Sequence, residues 1–177
     1  DLGNMVGMPI AAGNLFIGSF DMLNAITNPL SATRFGTPFY NKPLRLTGYY
    51  KYKAGEQFYE NGEYTSRKDI FNIYAIFYDG VKYDSAGKRT DVTLDGNLRN
   101  QNYEHPNMVA LALVSNPQET EGDEWKFFDI PFDYQRYGKK IDEARLAKGE
   151  YKIGIIFASS KDGVPNLTHL FEKIRDK

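Results

Sequence analysis

The run Lys42–Lys53, KPLRLTGYYKYK, constrains the fold most strongly. Side chains of an extended strand point alternately to its two faces. Over residues 44–53, one face reads Leu44, Leu46, Gly48, Tyr50, Tyr52 and the other Arg45, Thr47, Tyr49, Lys51, Lys53. That period of two fits a half-buried strand, and tyrosine favours strands because its ring packs well on a pleated surface. The first face is expected to enter a core. The second is polar, with one aromatic ring at its middle.

Five more runs have the same character: Asn14–Phe20, Ile70–Tyr78, Met108–Ser115, Trp125–Phe132 and Tyr151–Ser159. Each is rich in aromatic or branched residues and bounded by Gly, Pro, Asn or Asp. The dipeptides Asn61-Gly62, Asp79-Gly80, Asp95-Gly96 and Asp162-Gly163 suit reversals between antiparallel strands. Helical pattern is sparse. Lys139–Lys148 would make two turns, and Leu167, Leu170, Phe171 and Ile174 share one face of a short C-terminal helix. Many strands with almost no helix between them argue against a parallel α/β fold. The expectation is an all-β, antiparallel β-sandwich, jelly-roll-like, with a short C-terminal helix. The 177 residues fit a single domain spanning 1–177.

Met108–Val114 and Ile153–Ala158 are apolar on both faces, which predicts central strands covered on both sides. The remaining strands are mixed. Ile70–Tyr78 sets Phe71, Ile73, Ala75 and Phe77 against Asn72, Tyr74, Ile76 and Tyr78. Trp125–Phe132 sets Phe128, Ile130 and Phe132 against Trp125, Phe127, Asp129 and Pro131. If these two share a sheet with Leu44–Lys53, one surface carries Arg45, Tyr49, Lys51, Asn72, Tyr74, Trp125 and Asp129. Sugar recognition needs flat rings for the C–H faces of a pyranose and hydrogen-bonding groups for its hydroxyls. Those seven are the candidate ligand-binding residues. The plainer alternative is packing, since strands enrich tyrosine without any ligand.

Other chemistries find little support. The chain has 22 basic and 23 acidic residues, so nothing electrostatic favours nucleic acid or an anionic membrane as partner. It has no cysteine, which removes disulfides, thiolate metal sites and a cysteine nucleophile. No apolar run nears the roughly 18 residues of a membrane span. His105 and His169 stand far apart in no zinc spacing. No phosphate loop, EF-hand loop or Gly-x-Ser-x-Gly elbow occurs. Ser159 and Ser160 end a strand with no base placed beside them, so turn capping is their expected role. Glycoside hydrolysis needs two facing carboxylates, and Asp69 and Asp129 are the candidates of most interest. No cofactor or catalytic residue is assigned. Calcium alone needs no linear motif, because carbonyls and scattered Asp or Asn can bind it.

Five segments together resemble a known family: GNLFIGSF (13–20), RFGTPFYNKPLRLTGYYKYKAGE (34–56), DIFNIYAIFYDG (69–80), EWKFFDIPFDY (124–134) and GEYKIGIIFASSKDG (149–163). The chain resembles the putative carbohydrate-metabolism domain family of Bacteroidetes surface and secreted proteins over about residues 11–163. The resemblance implies a jelly-roll-like sandwich similar to carbohydrate-binding modules, in an exported, envelope-anchored protein linked to glycan use. It supplies no catalytic residues. In such domains a Gly/Ala-rich loop and a last strand with a Val-Asp pair close the fold. Here 164–177, VPNLTHLFEKIRDK, reads as helix instead. The expected function is non-catalytic binding of an oligosaccharide or polysaccharide on a cell-surface lipoprotein, alongside other domains. A glycosidase working through a carboxylate pair and a structural or protein-interaction module are the alternatives.

Overall fold

Strand alternation, carried through long-range pairing, organises the chain. The computed structural model describes residues 13–23, 25, 28–60 and 63–162. Its strands are β1 (Asn14–Phe16), β2 (Gly18–Phe20), β3 (Thr33–Phe35), β4 (Thr37–Phe39), β5 (Arg45–Tyr50), β6 (Phe58–Glu60) and β7 (Glu63–Thr65). They continue with β8 (Asn72–Asp79), β9 (Val81–Tyr83), β10 (Arg89–Asp91), β11 (Leu94–Asp95), β12 (Met108–Leu113), β13 (Lys126–Pro131) and β14 (Tyr151–Ala158). Helices of four or five residues lie at Pro29–Ala32, Asn97–Asn100 and Glu143–Ala147. The expected helix at 139–148 is thus confined to its second half, where the Asp142 side chain accepts from the Arg145 backbone N–H at 3.1 Å. The expected C-terminal helix lies outside the described residues.

The main sheet runs β1-β14-β8-β12, with β4 also paired to β14. β14 and β8 pair antiparallel over eight residues, from Tyr151 opposite Asp79 to Ala158 opposite Asn72. Every residue of β8 except Asp79 is buried. Its two faces feed two different cores. Phe71, Ile73, Ala75 and Phe77 join Tyr151 and Ile153 of β14 under Leu46 and Tyr50 of β5 and Phe128 of β13. Tyr74, Ile76 and Tyr78 join Ile156 under Phe35 of β3, Leu94 of β11, Leu98 and Tyr103. The sandwich is therefore all-β and antiparallel, with a covering layer on each face of the main sheet. One cover is the two-stranded ribbon of β5 and β13. The other is the small sheet β11-β3-β2 with the Asn97–Asn100 helix.

Several expectations change in detail. The run Asn14–Phe20 is two strands, because the chain swaps sheets at Ile17: β1 pairs β14 and β2 pairs β3. Ile17 bonds both ways at the crossing, donating to the Ile155 carbonyl and accepting from the Gly36 N–H. β12 is covered on both faces but is not central. It ends the sheet order, and a single bridge pairs its Leu111 with Asp133. Asp79-Gly80 and Asp95-Gly96 are not hairpin reversals. The first carries the chain from β8 into the separate β9–β10 hairpin, and Gly96 is the N-cap of the Asn97–Asn100 helix. Leu44, expected in the core, is 70% exposed, since β5 begins only at Arg45.

Gly48 shows why the core face of β5 contains a residue without a side chain. It lies opposite Phe128 in the ribbon, and a Cβ at Gly48 would sit 2.8 Å from that ring. The glycine lets Phe128 lie flat across the strand and reach the Tyr50 ring at 6.3 Å. Gly48→Val is expected to destabilise the fold by about 1–3 kcal/mol, the usual cost of overpacking. Urea unfolding measures this, and an unchanged midpoint would contradict the packing role.

Candidate functional site

The outer face of the β5–β13 ribbon carries the candidate site. Cross-strand neighbours in an antiparallel pair point to the same face. Tyr49 lies opposite Phe127, Thr47 opposite Asp129 and Arg45 opposite Pro131. Lys51 and Trp125 continue the same row past the last pair. Tyr49 is 63% exposed, Phe127 54% and Trp125 63%. The Tyr49 and Phe127 rings stand 5.1 Å apart at 52°. Lys51 Nζ lies 5.5 Å from the Trp125 ring centroid and 3.2 Å from the Asp123 carboxylate. At the other end the Arg45 Nε donates to Asp129 Oδ1. That hydrogen bond raises the Arg45 pKa. The row thus runs from open aromatic rings to paired polar groups. Burying such rings would be favourable, and the three together form an exposed apolar patch edged by charged groups.

The inner face explains why these residues point outward. Leu46 and Tyr50 are buried against the main sheet, and Tyr50 packs its ring 4.6 Å from Phe71. The Tyr50 hydroxyl donates to the Gln118 carbonyl at 3.2 Å. Beyond β5, Tyr52 and Thr120 exchange backbone and side-chain hydrogen bonds, which hold the 118–120 segment beside the ribbon. With the inner face fixed, alternation leaves Arg45, Tyr49 and Lys51 no direction but outward.

Five of the seven sequence candidates, Arg45, Tyr49, Lys51, Trp125 and Asp129, share this face. Asn72 and Tyr74 do not. β8 belongs to the main sheet rather than the ribbon, and these two are 2% and 3% exposed. Asn72 Nδ2 donates to the Tyr103 hydroxyl at 2.9 Å. The Tyr74 ring packs edge-on to Tyr103 at 5.0 Å and to Phe35 at 6.5 Å. Burial raises the Tyr74 pKa well above the ordinary phenol value. Tyr103 holds its place with a left-handed backbone, φ 61°, uncommon for a bulky residue. Tyr137 secures it by donating to its carbonyl at 2.9 Å. Phe127 and Asp123 are contributors missing from the seven. The alternation that placed Trp125 and Asp129 also placed Phe127, whereas Asp123 sits in a turn that no periodicity reports.

Other ionisable groups are engaged in structure. Arg145 donates to both Asp79 carboxylate oxygens, at 2.6 and 2.8 Å, and to Glu150 at 2.6 Å. Tyr83 donates to the other Glu150 oxygen at 2.7 Å. Asp79 and then Glu150 raise the Arg145 pKa. Arg145 and then Tyr83 hold the Glu150 carboxyl below its ordinary value. Asp69 accepts from the Ile70 N–H at the approach to β8, while Asp129 lies on the outer ribbon. His105 Nδ1 accepts from the Asn107 N–H at 3.1 Å, and burial, then Lys82 and Lys139, lower its pKa. His169 lies outside the described residues. Ser159 Oγ accepts from the Gly13 N–H at 2.9 Å, so it ties the end of β14 to the start of β1 instead of capping its own turn. Among the described residues no three His, Asp or Glu side chains group closely enough to hold a metal ion. Among them, too, no helix is long and apolar enough to cross a membrane.

Residues 1–165 match the family described as putative carbohydrate metabolism domain. A crystal structure of a putative glycoside hydrolase from Bacteroides vulgatus ATCC 8482 is 54% identical, with a TM-score of 0.81. The match covers 92% of this chain and 61% of that one. A second putative glycoside hydrolase, from Bacteroides thetaiotaomicron VPI-5482, is 48% identical with a TM-score of 0.76. There the match covers 91% of this chain and 44% of the other. The chain thus spans 44% to 61% of these relatives' lengths. No curated protein matches it.

Asn72→Ala and Tyr103→Phe should each destabilise the fold by about 1–2 kcal/mol, the cost of leaving a buried polar group without its partner. The double variant should cost little more than either alone, and full additivity in a double-mutant cycle would refute the coupling. Arg145→Ala should cost about 2 kcal/mol at neutral pH. Glu150 has a folded pKa below its ordinary 4.5, so its contribution is complete above that value and vanishes as pH falls through the folded pKa. Arg145→Ala should therefore lose less stability than the unaltered chain between neutral pH and about pH 3, read from urea midpoints.

Proposed function

The chain belongs to the putative carbohydrate metabolism domain family, and from that premise we propose that it is a non-catalytic glycan-binding domain of an exported or cell-surface protein. The observation that carries this reading is the exposed row Trp125, Phe127 and Tyr49, edged by the Arg45–Asp129 and Lys51–Asp123 pairs. Rings in such a row offer flat contact to the C–H faces of pyranoses. The ion pairs beside them offer donors and acceptors to hydroxyls, which fixes orientation. The row is held by a packed inner face, so little ordering is needed on binding.

The relatives described as putative glycoside hydrolases favour a second reading, in which a hydrolytic site accompanies this domain. In that arrangement the ribbon holds the polymer while a carboxylate pair, here or in a further part of a longer protein, cleaves it. Asp69 and Asp129 make a poor pair for such work. Asp129 is committed to Arg45, and Asp69 to the backbone at the approach to β8.

Affinity electrophoresis and calorimetric titration against a polysaccharide panel test the binding reading. Tyr49→Ala and Trp125→Ala should each weaken retention at least about tenfold, roughly 1.4 kcal/mol, with an unchanged melting temperature. A folded chain that binds nothing in the panel would overturn it. Hydrolysis by this chain that survives both replacements would favour the second reading.

A further inference from the structure

We infer that the ribbon face selects uncharged polysaccharides and discriminates against uronate- and sulfate-bearing ones. The inference rests on the glycan-binding reading and adds the chemical class of the ligand. Arg45 and Lys51, the two cations beside the exposed rings, are each paired with a carboxylate. Arg45 donates through Nε and Nη2 to the side chain and carbonyl of Asp129. Lys51 sits between the Asp123 carboxylate and the Trp125 ring.

This pairing treats neutral and anionic sugars differently. A hydroxyl both donates and accepts, so it can bond to a carboxylate and to a cation without parting them. Arg45 still has N–H groups beyond those turned toward Asp129, and Lys51 has three donors in all. An anionic sugar finds Arg45 and Lys51 already committed to carboxylates. To reach Arg45 or Lys51 it must displace Asp129 or Asp123, or else lie beside them at like-charge cost. The exposed rings add attraction that is indifferent to charge.

The test uses the intact chain, with neutral β-glucan, xylan and galactomannan against polygalacturonate and chondroitin sulfate, each at low and high salt. The expected result is retention by at least one neutral polymer, changed less than about threefold by salt, and none by the two anionic ones. In the double variant Asp123→Asn with Asp129→Asn, both cations lose their partners. That variant should gain at least about tenfold in affinity for polygalacturonate, and the gain should fade at high salt. Salt-sensitive binding of the unaltered chain to the anionic polymers, stronger than to the neutral ones, would overturn the inference while leaving the glycan-binding reading intact. A double variant that folds and shows no gain would likewise overturn it. Failure of the folded chain to bind any polymer would overturn the glycan-binding reading itself.

Discussion

The pairing of Asn72–Asp79 with Tyr151–Ala158 is the constraint on which the rest of the structure depends. Eight consecutive cross-strand pairs place two apolar strands side by side. Neither face of β8 meets water, so each needs its own cover. A β-sheet whose faces are both apolar stays in solution only when layers close over both. The β5–β13 ribbon closes one face and the β3–β11 layer closes the other. The main sheet thus has little surface left for recognition. What remains lies on the outsides of the covers, and there the ribbon presents its three open rings.

The same constraint shows which parts of the molecule can be read from sequence. Every long strand is visible in its alternation or its apolar run, because those patterns are local. The inward and outward sets of β5 and β13 follow too, down to Leu46, Tyr50 and Phe128 inside and Tyr49, Trp125 and Asp129 outside. Strand partnership is a different matter. Asn72 and Tyr74 have the composition of a half-wet face, and only the arrival of Tyr103 and Phe35 from distant segments makes that face an interior. Leu44 fails for a smaller reason, since the strand starts one residue later than its pattern. Arg145, Asp79, Glu150 and Tyr83 look like ordinary surface polarity in sequence, and their convergence depends on where the loop after β8 meets the start of β14.

Charge pairing serves two purposes in one small molecule. Around Arg145 the partners are largely sheltered, with Glu150 only 7% exposed, and removing one partner leaves the others poorly solvated. On the ribbon the pairs lie in water and contribute little to stability. Their significance there is chemical: they set the sign and the hydrogen-bonding character of a surface without holding the fold together. The outer pairs can therefore be replaced at little cost to the sandwich beneath them.

The bridge between Leu111 and Asp133 concerns how the molecule behaves in a crowd. β12 is the apolar run MVALAL at the end of the main sheet, and a bare edge of that kind is a template onto which another chain can add a strand. The segment leaving β13 occupies that edge at Leu111, with N–H to carbonyl contacts of 2.8 and 3.4 Å. Asp133 is pinned there by accepting from the Gln135 and Arg136 N–H groups, each at 3.0 Å. The strand that displays the rings to solvent therefore ends as a guard on the sheet beneath, occupying at Leu111 the backbone groups that another chain's strand would need in order to add there.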